Sequence, residues 1–258
     1  MSLLYDTNHG GKMDIINITE VKSFEKQLFE LMKKIPFIQH PWFQDIINGK
    51  LTKEQIIEGE KQHYLRVRLN AEIFGPVVAN SAREGDYKTF NIARLNFGEE
   101  VCNKRSHSDI MYQLLEAQGI KRDEADKIKP KAGTMAAIAM LTKASSIFTG
   151  AELMAMLSLA ELQYGGKEGT AAKIYKSLTE KYGFSHREAE TFFVHVESDD
   201  THGSTQIHRL LEIVSENPDL APKLLEAVRY GLIAFNYEWD GHYQAATGKE
   251  YFHWCGIE

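Results

Sequence analysis

His195-Val196-Glu197-Ser198-Asp199-Asp200-Thr201-His202 reads as two turns of helix. Each helical residue turns by about 100°, so His195, Asp199 and His202, spaced by four and then three, fall within roughly 60° of one face. Two imidazoles and a carboxylate on one helical face can grip a metal ion, or one ion and its neighbour. Gln206 continues that face, whereas Glu197 and His208 point elsewhere. The competing reading is a solvated polar face that carries histidines by coincidence. Asp200 could replace Asp199 if the helix is locally distorted.

The same helical spacing extends outward through most of the chain. Six prolines leave long stretches free of helix breakers, and apolar residues recur there at intervals of three and four. Phe24, Leu28, Leu31 and Met32 form one stripe before Pro36. His40-Pro41-Trp42-Phe43 starts a short helix that ends at Asn48-Gly49. Thr52 caps another, with Glu54 and Gln55 in its first turn, which is expected to run towards Ser81 with a kink at Gly75-Pro76. Further helices are expected over about 87–101, 108–118, 122–128, 134–146, 151–164, 170–182, 186–196, 204–216 and 220–246. No sustained period-two alternation, coiled-coil heptad or tandem repeat interrupts the pattern. The fold class is therefore all-α, one compact bundle spanning 20–258 behind a flexible leader at 1–19.

The bulk numbers exclude several functions. With 258 residues, 43% hydrophobic and 26% charged, the chain has the composition of an ordinary globular protein. A net charge of −6 and the lack of a basic, aromatic-interleaved run argue against nucleic acid or an anionic membrane surface as partner. Two cysteines, Cys102 and Cys255, make neither a disulfide framework nor a Cys-rich zinc site, which fits a cytoplasmic location. No apolar run approaches the ~18–20 residues of a membrane span.

Two further segments carry donor atoms. In Glu99-Glu100-Val101-Cys102-Asn103-Lys104-Arg105-Ser106-His107 a carboxylate closes one helix and an imidazole opens the next. That corner can bring Glu100 and His107 to a common ion, or be an ordinary acidic helix end followed by a histidine. Glu161 sits among Leu153, Met154, Met156, Leu157, Leu159 and Ala160. A carboxylate in such surroundings needs a cation or a hydrogen-bond partner. Glu152 lies about 180° from Glu161 on the helix, so the two cannot share one exposed stripe. Together the three segments offer three imidazoles and three carboxylates. Two divalent irons would bring that set close to neutral, which suits redox iron better than a structural zinc with its sulfur-rich shell.

These motifs resemble the haem-oxygenase-like di-iron oxidases, whose fold is TenA/PqqC-like. The likeness runs from about 40 to 212. It includes His40-Pro41-Trp42-Phe43, Gly49-Lys50-Leu51-Thr52, Asn96-Phe97-Gly98-Glu99-Glu100 with His107, Thr149-Gly150, Glu161, Leu178-Thr179-Glu180-Lys181-Tyr182-Gly183-Phe184 and the His195/Asp199/His202 triplet. The resemblance implies a bundle of seven or more helices and metal ligands at Glu100, His107, Glu161, His195, Asp199 and His202. It implies two iron ions (Fe2+, with manganese accepting similar ligands), dioxygen as co-substrate and an external electron donor. Family reactions include amine N-oxygenation, oxidative carbon–carbon cleavage of amino or fatty acids, and p-aminobenzoate formation from the protein's own tyrosine. A lysine near the metals accompanies that last reaction, and Lys173 matches it approximately. The tyrosine itself falls at Phe43, while Tyr64, Tyr112 and Tyr164 remain as candidates near the metals.

Two alternatives stand beside this reading. One is a metal-free enzyme of the same fold, for which Cys102 or Cys255 would be the nucleophile, though neither has an evident base. The other is a non-enzymatic interaction protein, with the charged run Arg122–Lys131 as its surface. The apolar stretch Tyr251–Cys255 fits either a homodimer contact or a tail docked on the core. Arg66, Arg68 and Lys173 are candidates for pairing with a substrate carboxylate.

Overall fold

The computed structural model describes residues 15–252, the side chains of 15–17 and 197–202 excepted. Among the described residues there is no strand. The helices are α1 (Ile15–Lys34), α2 (Pro41–Ile47), α3 (Lys53–Val67), α4 (Asn70–Glu84), α5 (Tyr87–Phe97), α6 (His107–Ala117), the single turn α7 (Arg122–Ala125), α8 (Ala132–Ala144), α9 (Gly150–Tyr164), α10 (Thr170–Lys181), α11 (His186–Glu216) and α12 (Ala221–Thr247). None is long and apolar enough to cross a membrane.

Local chemistry sets the helix starts. Thr52, Ser106, Thr149 and Ser185 each accept from the backbone three residues on, and Gln55, Asp109, Glu152 and Glu188 reach back to close a capping box. Glu152 is thereby used at its own helix end, which leaves Glu161 as the carboxylate on the other side of α9. Pro41 occupies the first turn of α2, where its missing N–H loses nothing.

Helix α9 is the axis of the bundle. Leu153 through Ala160 are all buried, and α12, α11 and α4 pack around it. Two glycines permit the close approach. A Cβ on Gly231 of α12 would lie 1.8 Å from the Met156 carbonyl oxygen, and one on Gly203 of α11 would lie 2.9 Å from the Leu162 nitrogen.

Several expectations need correction. The helix expected to run from Thr52 towards Ser81 breaks at Arg68–Leu69, where the Leu69 N–H turns to the Arg66 carbonyl. Pro76 is carried inside α4. The two helices expected over 186–196 and 204–216 are one continuous helix, because Gly203 is needed for packing against α9 and does not end it. Residues 15–19, expected in the leader, belong to α1, and 1–14 lie outside the described residues. Tyr251 docks on the body, with its ring 6.3 Å from His40 and 5.0 Å from Tyr243, while Phe252 is exposed and Trp254 and Cys255 lie outside the described residues.

Candidate metal centre

Four of the sequence-predicted ligands line one cavity of about 50 Å³. Glu100 reaches it from a wide π-helical turn, Gly98–Cys102, that follows α5. Such turns recur at functional sites because they rotate side chains out of the regular α-helical register. His107 is the first residue of α6, fixed there by the Ser106 cap. Glu161 comes from the last turn of α9 and His195 from the first half of α11.

Glu100 Oε2 and His107 Nδ1 are 2.8 Å apart, and the His107 and His195 rings meet edge to face at 5.0 Å. Amides fix the carboxylates. Asn70 Nδ2 donates to Glu100 Oε2 at 2.6 Å. Asn96 Nδ2 and Gln206 Nε2 donate to the two oxygens of Glu161 at 2.9 and 2.6 Å. Burial pushes the Glu100 carboxyl up, but the charge and hydrogen bond of His107, with His195 and Arg66, outweigh it and hold Glu100 below its ordinary value.

Phe37, Phe74, Leu157, Phe235 and Trp239 form the apolar wall, and Arg66 and Thr191 add polar groups. Arg66 is held by Glu238 and Asn70. The Tyr164 ring lies 5.0 Å from His195 and stacks on Trp239 at 5.6 Å. Tyr64 and Tyr112 instead pair with each other, away from the lining, and the Tyr64 hydroxyl donates to Asp126.

Asp199 and His202 belong to α11, but their side chains lie outside the described ones. Among the described residues no three His, Cys, Asp or Glu side chains close on one point at metal-ligand spacing. Lys173 is not brought to the cavity. Ala171, Ile174, Ser177 and Leu178 turn the other face of α10 inward and leave Lys173 exposed. Cys102 is exposed and also absent from the lining.

A family model described as iron-containing redox enzyme matches residues 61–235. The chain belongs to that family. Its curated relatives include the 4-aminobenzoate synthase of Chlamydia muridarum, 24% identical over 207 residues, which span 80% of this chain and 84% of that one. A domain from Shewanella denitrificans with a haem oxygenase-like fold superposes with a TM-score of 0.64 at 16% identity, covering 90% of this chain and 94% of that one. A TenA family transcription regulator from a Silicibacter species gives 0.64 at 14% identity, covering 87% and 96%. The fold is thus haem-oxygenase-like, and the family's chemistry is redox chemistry with iron.

Asn96, part of the motif that ends at Glu100, and Gln206, on the helical face of His195, both bond Glu161. Sequence reasoning missed Asn70. It also missed a buried group of Glu60 and His63 on α3 with Glu238 and His242 on α12. The signal was present as Glu-x-x-His and Glu-x-x-x-His spacing, each placing two polar groups on one helical face.

Proposed function

We propose that this protein is a non-haem di-iron oxygenase that uses dioxygen to oxidise a small metabolite. One observation carries the reading: Glu100, His107, Glu161 and His195, from four separate segments, meet at one largely buried cavity. The donor set fits iron. Carboxylates and imidazoles from four segments face the same cavity, and the amides that orient Glu100 and Glu161 bring no charge that would repel a cation. Glu100, His107, Glu161 and His195 would hold the two ions together with Asp199 and His202, which the spacing on α11 puts on the same helical face. Bound iron supplies the capacity to take up dioxygen and pass electrons, with an external donor to restore the ferrous state.

The protein's own groups do the rest. Asn70, Asn96 and Gln206 hold the Glu100 and Glu161 carboxylates in place by hydrogen bonds. The aromatic wall excludes bulk water and accepts an apolar substrate body. Purified wild type is expected to contain iron and consume oxygen, and His195→Ala to lose most of both. Equal iron in the two proteins would defeat the assignment.

Tyr164 favours a second reading. The relatives' named product is 4-aminobenzoate, and the tyrosine that the family's self-modifying members use is replaced here by Phe43. The Tyr164 ring lies 6.2 Å from Phe43 and 5.0 Å from His195, so a phenol is kept beside the ligands. Mass spectrometry of protein incubated with iron, reductant and oxygen tests this. A modified Tyr164 together with released 4-aminobenzoate would support it, and an unmodified tyrosine after turnover would remove it.

A further inference from the structure

A second polar cluster is buried beside the cavity, where α3 faces α12. Its one permanent cation is Arg66, whose Nε lies 3.0 Å from both oxygens of Glu238. Arg66 Nη2 faces His63 Nε2 at 3.5 Å. A guanidinium only donates, so His63 Nε2 accepts, the His63 proton sits on Nδ1, and Nδ1–H donates a hydrogen bond to Glu60 Oε2, 2.9 Å away. Glu60 is therefore a fully buried carboxyl with one neutral donor and no cation of its own among the described residues. Its Oε1 has no hydrogen-bond partner among them, and His242 Nε2 stands 3.7 Å from Glu238 Oε1 rather than on Glu60. An ionised carboxylate in that setting is costly, whereas a protonated one is tolerated.

The cluster is connected to the cavity. Arg66 lines it and donates through Nη1 to Asn70 Oδ1 at 2.8 Å, and Asn70 donates to Glu100. The charged and titratable groups around Glu60 are His63 and Arg66 on its own helix and Glu238 and His242 on α12. His195 on α11 acts on His63, and the hydrogen-bonded His40–Asp240 pair brings a further carboxylate on α12.

We propose that Glu60 is a proton reserve for the metal cavity, protonated in the metal-free protein and releasing its proton when cationic charge enters. This inference rests on the metal-centre reading above. The step breaks only the carboxyl O–H bond. The proton leaves to bulk solvent, and the carboxylate that remains offsets part of the metal's charge. Burial, the largest influence, pushes Glu60 up to about 7, against the pull of His242 and with a further push from Glu238. At that value a modest change in nearby charge alters its occupancy near neutral pH.

The test has two readouts, neither of them turnover. In metal-free protein, infrared difference spectra of wild type against Glu60→Gln should show the carbonyl band of a protonated, buried carboxyl that only wild type possesses. Anaerobic titration with Fe(II) in weakly buffered solution near pH 6.5, followed with a pH indicator, should release about half to one proton more from wild type than from Glu60→Gln at equal iron uptake. The wild-type band should shrink as iron is added. Absence of the band, or equal proton release from the two proteins, overturns this inference and leaves the metal centre standing. A wild type that takes up no iron overturns both, and the metal-free spectrum is recorded whether or not iron binds. If Glu60→Gln fails to fold, loss of the wild-type band on iron loading decides alone, and a band that persists refutes the proposal.

Discussion

At the residue scale, the site depends on keeping carboxylates inside an apolar bundle without letting them rotate. Glu161 follows eight consecutive buried residues of α9 and is held on both oxygens by amides from two other helices. Neutral amides can orient a carboxylate without competing for its charge. Asn96→Ala and Gln206→Ala are expected to weaken iron binding by roughly 10–100-fold each. Chelator competition measures this, and unchanged affinity in both variants would show that Glu161 needs no such support. Lys173→Ala, by contrast, should leave iron content and oxygen uptake at wild-type levels, because Lys173 is exposed on α10 and outside the cavity lining. A loss of either in that variant would restore the role suggested by the family likeness.

At the element scale, the position of α9 is governed by how closely its neighbours approach. Gly231 lets α12 rest on the α9 backbone, where a Cβ would lie 1.8 Å from the Met156 carbonyl. That oxygen belongs to the main chain, so relief requires the helices to part. Gly231→Ala should destabilise the fold by about 1–3 kcal/mol in urea unfolding. Gly75→Ala in α4 is the contrast. Its new Cβ would make an ordinary contact at 3.5 Å with the Phe97 ring. It should be neutral or stabilising by up to about 1 kcal/mol, since alanine restricts the unfolded chain more than glycine does. Equal losses in both variants would mean that helix spacing is not what Gly231 sets.

At the scale of the whole molecule, the polar interior makes stability depend on pH in two opposed ways. For Glu238, burial pushes upward, but Arg66, His242 and His63 dominate and hold it down at about 2. Its contribution is present above its ordinary value of 4.5 and is lost as pH falls towards 2. Glu60 runs the other way. Between 4.5 and about 7 the folded state keeps a proton that the unfolded chain has released, so stability declines as pH rises through that window and then levels off. Glu60→Gln removes this penalty. It should therefore be more stabilising at pH 8 than at pH 4, by on the order of 3 kcal/mol. Urea unfolding of both proteins at the two pH values checks it, and the same effect at both would contradict a raised Glu60.

The helical class was legible in the residues because amphipathic spacing and capping boxes are local. Thr52 with Gln55, and Thr149 with Glu152, mark helix starts within four residues of chain. The pairing of Glu100 with His107 was legible for the same reason, as a corner of eight residues. What joins that corner to Glu161 and His195 is long-range packing of α9 against α11, and no local pattern encodes it. The same holds for the side of α10 that Lys173 occupies, and for Arg66 finding Glu238 across 172 positions. A histidine or glutamate on a helix reads alike in sequence whether it faces water, a metal cavity or another buried acid. Only the tertiary structure decides, because burial and the partners that satisfy a buried charge come from segments far apart in the chain.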